Sequence, residues 1–187
     1  MSVEAGTFAG LRTSRALAIG TSVRIVASPA ILALILSHDW VVAAVIFLLA
    51  AATDFIDGRL ARRWDVTTTL GSFLDTTADK LLVATTLLAL LTVHRASAWV
   101  AFVIIAREFV ILGLRAAVAS GGTTMKTSQF GKWKATFQFV AIAVAILRPH
   151  VLIDGAFLDQ WLLAIVAAIT AWSGVEYLTK HADALRS

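Results

Sequence analysis

Six apolar stretches of roughly twenty residues, each closed by charged or turn-forming residues, limit what this chain can fold into. About 20 apolar residues are needed to cross the roughly 30 Å hydrocarbon core of a bilayer as a helix. The stretches run from about Leu17 to Ser37, Val41 to Arg62, Leu70 to Val93, Ala98 to Ser120, Gln129 to Leu147 and Leu158 to Leu178. Breakers separate them: His38-Asp39-Trp40 after the first, Gly121-Gly122 after the fourth and Arg148-Pro149 after the fifth. A backbone that spans lipid must satisfy its own hydrogen bonds, and stretches of this length do so only as helices. The expectation is an all-α integral membrane protein with six transmembrane helices in one domain, residues 17–187. Residues 1–16 lack the apolar core of a cleavable signal peptide. They read as a tail or as an interfacial helix with Phe8, Leu11 and Leu17 turned to lipid.

Composition bears this out. The chain is 59% hydrophobic and 15% charged, with a mean hydropathy of +0.84; soluble domains are about 45–50% apolar and about 25% charged. The same values exclude a disordered chain, and the absence of cysteine excludes a disulfide scaffold. An isoelectric point near 10.0 and a net charge of +4 fit basic loops facing anionic lipid, so no nucleic-acid partner is expected. Arg12, Arg15, Arg59, Arg62, Arg63, Lys126, Lys132, Lys180 and Arg186 fall on one side of the six-span topology, and the other side keeps Arg95 and Arg148. The positive-inside rule then places both termini in the cytoplasm. Trp40, Trp99, Trp161, Trp172 and Tyr177 near span ends read as interface anchors. His38, His94, His150 and His181 at span ends read as solvated or interfacial, and Gly113, Gly121, Gly122 and Gly174 as packing or turn positions.

The junction of the second and third stretches carries the chemistry. Asp54 and Asp57 are three residues apart, and Asp75 and Asp79 are four apart, so each pair shares a helix face. Consecutive antiparallel spans put both pairs at a similar depth near the cytoplasmic end. Carboxylates inside spans are costly and face the bundle interior or a wet cavity. Four together repel unless cations neutralise them, and hard oxygen ligands suit Mg²⁺ or Mn²⁺. Two such ions would form a clamp for phosphoryl chemistry. Gly58, Ala61 and Gly71 let a ligand or helix approach the backbone, and the fixed donor fork of Arg62 suits phosphate. The competing reading has these carboxylates capping helix ends or pairing with Arg59, Arg62 and Arg63.

The pattern Asp54-x2-Asp57-Gly58-x2-Ala61-Arg62-x8-Gly71-x3-Asp75-x3-Asp79 resembles the complete signature of the CDP-alcohol phosphotransferases. The resemblance implies a six-span fold, usually a homodimer, in which an alcohol displaces CMP from a CDP-linked lipid. It implies that Asp54, Asp57 and Asp75 bind divalent metals. Asp79 would also lie at the metal site and deprotonate the acceptor hydroxyl. Gly58, Ala61, Arg62 and Gly71 would hold the CDP-lipid together with Asp57, with Thr21 added from the first span. Further similarity lies in Thr21-x2-Arg24 ahead of Pro29, Ala78-Asp79-Lys80, Ile105-Ala106-Arg107-Glu108 and Gly131-Lys132-x-Lys134-x-Thr136. These look like the bacterial phosphatidylglycerolphosphate synthases, enzymes of the cytoplasmic membrane. Ala18 stands where that group has asparagine, and Thr76 where it has proline.

Arg107, Arg115, Lys132 and Lys134 lie on the fourth and fifth stretches towards the cytoplasmic half, so the acceptor alcohol should be an anion. An unpaired arginine inside a span costs at least about 2.5 kcal/mol, and Arg107 either meets that anion or pairs with Glu108 or an aspartate. The expected substrates are CDP-diacylglycerol and glycerol 3-phosphate, with inositol phosphate or phosphatidylglycerol as alternative acceptors. A divalent-cation transporter would instead spread its acidic residues across the membrane depth, whereas here all four gather at one end.

Overall fold

The computed structural model describes residues 20–64, 69–120 and 129–180, with side chains at 20–53, 73–118 and 133–179. The N-terminal tail or interfacial helix, together with Ala18, lies outside the described residues. Six helices follow in order: α1 (Gly20–Leu36), α2 (Trp40–Trp64), α3 (Thr69–Thr92), α4 (Ala98–Ser120), α5 (Gln129–Leu147) and α6 (Leu158–Lys180). A small hairpin, β1 (Leu152–Ile153) and β2 (Ala156–Phe157), precedes α6. Each helix lies within a few residues of an apolar stretch of the sequence. The architecture is all-α.

Helix ends show why the stretches stop where they do. At the close of α1, His38 N–H donates to Ile35 O at 3.1 Å and Asp39 N–H to Leu34 O at 2.9 Å. This is a Schellman cap, which places its C′ residue in the left-handed region. His38 sits there with φ 67°, and His94 does the same after α3 with φ 55°. Both span-end histidines thus close helices, in place of the more usual glycine. In the hairpin, Leu152 pairs with Phe157 and Ile153 with Ala156. Its two turn residues, Asp154 at φ 50° and Gly155 at φ 78°, give the Asp-Gly geometry whose twist matches paired strands. Trp161 Nε1 donates to Ile153 O at 3.0 Å and ties the hairpin to α6.

The residues divide into two compact units, ending at Thr86 and beginning at Leu87, with the division inside α3. The first unit buries Ile31, Ile35, Ala43, Ala44, Phe47, Ala50 and Leu82. In the second, α6 packs on both α4 and α5, and Ile104, Ala141, Ile142, Ala145, Ile146 and Leu163 are buried. Alanines at such positions let helix backbones approach closely. Large apolar side chains are exposed on every helix, including Val26, Leu49, Leu81, Phe102, Val140 and Val175. Among the described residues, α6 alone carries a window (Leu158–Thr179) long and apolar enough to cross a membrane. Shorter apolar runs lie at Gly20–Leu36, Trp40–Thr53 and Trp133–Leu147. In α3 and α4 charges break the apolar window, since Asp75, Asp79 and Lys80 interrupt α3 and Arg107, Glu108 and Arg115 interrupt α4.

Arg95 and Arg148, the two basic residues that the sequence leaves on the far side, are absorbed into one cluster. Arg148 Nε and Nη2 donate to Asp159 Oδ2 at 3.1 and 3.0 Å. Arg148 Nη2 also reaches Arg95 O at 3.1 Å, and Arg95 Nη1 bonds Ile146 O. The Arg148 guanidinium stacks 4.9 Å from the centre of the Phe157 ring. Asp159 is fully buried in the first turn of α6, where the helix N-terminus favours its charge. Burial, and then the like charge of Arg148, lower the pKa of Arg95, with Asp159 opposing. The α3–α4 and α5–α6 connections are thereby held together at one end of the second unit. Removing one partner of a buried pair typically costs about 3–5 kcal/mol, so Asp159→Ala is expected to lower the thermal midpoint of the detergent-purified protein sharply. The double replacement Arg148→Met with Asp159→Leu should recover part of that loss in the same measurement.

Candidate active site

The acidic signature is carried by two consecutive helices. Asp54, Asp57, Gly58, Ala61 and Arg62 lie on the uninterrupted α2, and Gly71, Asp75 and Asp79 on α3. The side chains of Asp54, Asp57, Ala61 and Arg62 fall outside those described, as does the surrounding of Gly58 and Gly71. Asp75 and Asp79 are described in full, one turn apart on one face of α3.

Asp75 is held from α1. Its Oδ1 accepts Arg24 Nη2 at 2.7 Å and Thr21 Oγ1 at 3.2 Å, while Arg24 Nη1 reaches the Asp75 carbonyl at 3.3 Å. Arg24 is fully buried, and Thr21 lies three residues before it on the same face. Two prongs of one rigid guanidinium on one residue fix both the carboxylate and the backbone that carries it. Oδ2 is left without a hydrogen-bond partner among the described residues. Thr21, which the resemblance assigns to the CDP-lipid, is here a donor to Asp75. Arg24 was legible as a similarity, and its position inside an apolar stretch carries the same signal that singles out Arg107.

Asp79 shows a related division. Oδ2 accepts Lys80 Nζ at 3.0 Å, and Oδ1 is buried with no hydrogen-bond partner among the described residues. Asp159 also has such an oxygen, but there two arginine donors and a helix N-terminus compensate it, whereas Asp79 sits in mid-helix. An unpartnered buried acceptor costs about 1–3 kcal/mol, more when charged. A hard cation or an acceptor hydroxyl would relieve that cost. The donor set, carboxylate oxygens with one oxygen tethered and the other open, fits Mg²⁺ or Mn²⁺. Among the described residues no three metal-ligating groups cluster; the other two aspartates of the signature have side chains outside that set.

The second unit gathers the cations. Arg107 Nη1 pairs with Glu108 Oε1 at 2.9 Å, and its Nη2 donates to Ser173 Oγ at 3.2 Å. Lys134 Nζ donates to the same Ser173 Oγ at 3.1 Å. Glu108, Lys134 and Gln138 are buried, and Arg107 Nε is buried with no hydrogen-bond partner among the described residues. Helices α4, α5 and α6 thus meet at one hydroxyl. Two like charges that share one hydroxyl oxygen repel each other. Arg107, Glu108 and Lys134 together carry a formal charge of +1, which suits an anionic ligand. Both readings of Arg107 hold in part, since it pairs with Glu108 and still converges with Lys134. Arg115 lies eight residues along α4 from Arg107, a rise of roughly 12 Å, and its Nε is likewise buried without a hydrogen-bond partner. The Lys132 side chain is outside those described. Ser173 is the residue that sequence reasoning missed; the only signal is the small Ser173-Gly174 step interrupting the large apolar residues of α6.

The grip of Arg24 on Asp75 is open to test. Arg24→Met keeps apolar bulk and removes both prongs, and losing such a supporting partner of a metal ligand typically costs about 10–100-fold. If Asp75 holds a divalent cation, turnover at saturating Mg²⁺ is expected to fall by that factor. Arg24→Lys should restore little of it, because an ammonium cannot bind carboxylate and carbonyl in the same fixed fork. Initial rates measured across an Mg²⁺ titration of each variant check both statements.

Comparison with known proteins agrees with this layout. The profile of the CDP-alcohol phosphatidyltransferase family matches residues 18–172, which takes in α1 to α5 and most of α6. The CDP-diacylglycerol–glycerol-3-phosphate 3-phosphatidyltransferase of Bacillus subtilis (strain 168) is 36% identical over 148 residues, covering 77% of this chain and 75% of that protein. The protein of the same name from Escherichia coli (strain K12) is 43% identical over 142 residues, covering 73% of this chain and 76% of its own length. With its signature aspartates on two consecutive helices and a family match over most of its length, the chain belongs to the CDP-alcohol phosphatidyltransferase family.

Proposed function

We propose that this protein transfers the phosphatidyl group of CDP-diacylglycerol to glycerol 3-phosphate, releasing CMP and forming phosphatidylglycerol phosphate. The observation that carries the acceptor choice is the convergence of Arg107 and Lys134 on Ser173 Oγ, at 3.2 and 3.1 Å. A pocket built from two cations and one carboxylate favours a phosphate-bearing alcohol over a neutral one. The names of the relatives from Bacillus subtilis and Escherichia coli support the same substrates.

The reaction is a direct displacement. The hydroxyl oxygen of glycerol 3-phosphate attacks the phosphorus that bears the diacylglycerol, and the bond from that phosphorus to the CMP oxygen breaks. An alcohol of ordinary pKa needs a positioned base, and the buried, unpartnered Oδ1 of Asp79 is the atom assigned to receive its proton. Lys80 holds the other oxygen and keeps the carboxyl oriented. Arg24 and Thr21 fix Asp75 in the same way. Asp54, Asp57, Asp75 and Asp79 would hold two divalent cations, Mg²⁺ or Mn²⁺, which when bound supply neutralisation of charge on the pyrophosphate. Asp57, Gly58, Ala61, Arg62 and Gly71 would line the nucleotide and its phosphates.

The proposal places this chemistry in a bilayer. Large apolar side chains exposed on all six helices are what lipid contact requires. The basic residues at one end support six spans with the signature and both termini facing the cytoplasm of a bacterial cell. The homodimer implied by the family resemblance belongs to the same proposal.

A CMP-release assay on purified protein with CDP-diacylglycerol and a panel of acceptors decides the reading. Glycerol 3-phosphate is expected to be used, with phosphatidylglycerol, inositol phosphate and free glycerol far behind. Preference for inositol phosphate or phosphatidylglycerol would move the protein elsewhere in the family. In the same assay Asp54→Asn, Asp57→Asn and Asp75→Asn should each abolish nearly all transfer. Asp79→Asn should keep CDP-lipid binding and lose about 10²–10⁴-fold in rate, the usual range for a general base. Retention of normal turnover by Asp79→Asn would remove it from that role.

A further inference from the structure

Ser173 has an unequal set of bonds. Its oxygen accepts from Arg107 Nη2 and from Lys134 Nζ, which uses both lone pairs of a hydroxyl. The hydroxyl hydrogen has no acceptor among the described residues. Several other helical hydroxyls here return their hydrogen to a carbonyl one turn back, as Ser28 does to Arg24 at 2.8 Å, Thr77 to Phe73 at 2.8 Å and Thr86 to Leu82 at 2.8 Å, while Thr21 donates to Asp75 and Thr170 Oγ1 is buried with no partner among the described residues. Ser173 does not make that bond. A serine hydroxyl that accepts from two cations has its hydrogen directed away from both. It is thereby a donor beside a locus of positive potential.

The neighbouring residue holds this arrangement in register. A Cβ added at Gly174 would lie 3.1 Å from Arg107 Cγ, tighter than ordinary contact. The α6 backbone therefore presses against the root of the Arg107 side chain. Arg107 is fixed at its base by Gly174 and at its tip by Glu108 and Ser173. Its Nε, buried and without a hydrogen-bond partner among the described residues, adds a further donor.

We propose that Ser173 is a specificity-determining residue of the acceptor subsite: its oxygen sets Arg107 and Lys134 about one point, and its hydroxyl hydrogen is donated to the phosphate of the acceptor alcohol. This rests on the reading of Arg107 and Lys134 as the acceptor's phosphate site. The chemical class recognised is a phosphate monoester dianion, which offers an oxygen to each of three donors from three helices. Gly174 serves the same selectivity by keeping Arg107 where Ser173 can reach it.

The test is steady-state kinetics on the full-length protein in detergent, varying one substrate at a time, with thermal unfolding measured with and without glycerol 3-phosphate. Losing a hydrogen bond to a charged group corresponds to roughly 10- to 100-fold in apparent affinity. Ser173→Ala is expected to raise the KM for glycerol 3-phosphate by that factor and to abolish the stabilisation that this ligand confers. Its kcat and its KM for CDP-diacylglycerol should barely move. Ser173→Thr, which keeps the hydroxyl, should stay close to the unsubstituted protein, and Ser173→Cys, a weak donor, should fall between. Gly174→Ala should raise the same KM with Ser173 intact. An unchanged acceptor KM in Ser173→Ala, while Arg107→Ala and Lys134→Ala raise it, overturns the role of Ser173 and leaves the acceptor site standing. An unchanged acceptor KM in all three overturns both. A fall in kcat with both KM values shifted together would mark Ser173 as purely structural, and Ser173→Cys and Gly174→Ala give the same discrimination should Ser173→Ala not fold.

Discussion

A charge inside an apolar helix bundle must be met by a counter-charge or a hydrogen bond, because the surroundings offer no water to do it. Among the described residues three arginines answer to that constraint, each in a different part of the structure. Arg24 is matched to Asp75, Arg107 to Glu108 and Arg148 to Asp159. The pairs differ in what they leave over. Arg148 spends its donors on Asp159 and on the Arg95 carbonyl, and ties the α3–α4 and α5–α6 connections to the start of α6. Arg24 fixes one oxygen of Asp75 and leaves the other. Arg107 meets Glu108 and still shares Ser173 with a second cation. The Arg148 pair is a structural closure, and in the proposed function the other two hold groups in place for the cations and the acceptor.

That distinction explains which features could be read from the sequence. Helix positions were legible because long apolar runs and their breakers are local signals. The fourth run, about Ala98 to Ser120, coincides with α4, and the fifth, about Gln129 to Leu147, with α5. The hairpin before α6 was passed over although Asp154-Gly155 is a strong turn signal. Its strands are two residues long and disappear beside the apolar runs that flank them. His38 and His94 read as solvated from their position, and only backbone geometry identifies them as helix caps.

At the site, the residue types were legible and their partners were not. Carboxylates at a spacing of four mark Asp75 and Asp79 as neighbours, and charge inside an apolar run marks Arg107. Which donor meets which oxygen depends on packing between helices far apart in the sequence. Arg24 reaches Asp75 across 51 positions and Arg107 reaches Ser173 across 66. Serine in a span carries no charge to draw notice, so Ser173 emerged only from what surrounds it. Thr21 shows the converse, since similarity grouped it with the CDP-lipid while its hydroxyl rests on Asp75.

The two aspartates of α3 also differ in how firmly they are held, and the difference follows from the side chains that hold them. Asp75 is gripped by a buried guanidinium, a planar fork that loses little freedom on binding. Such a carboxylate keeps one orientation, which is what a fixed ligand requires. Asp79 is paired with the adjacent Lys80, a point charge on a flexible stem, with both side chains partly exposed. A general base must gain a proton during the reaction and lose the attraction of its partner while it does so. A partly exposed ammonium loses less by this than a fully buried guanidinium would. In the proposed mechanism, therefore, the assignment of Asp75 to holding and Asp79 to proton transfer rests on arginine being used for one and lysine for the other.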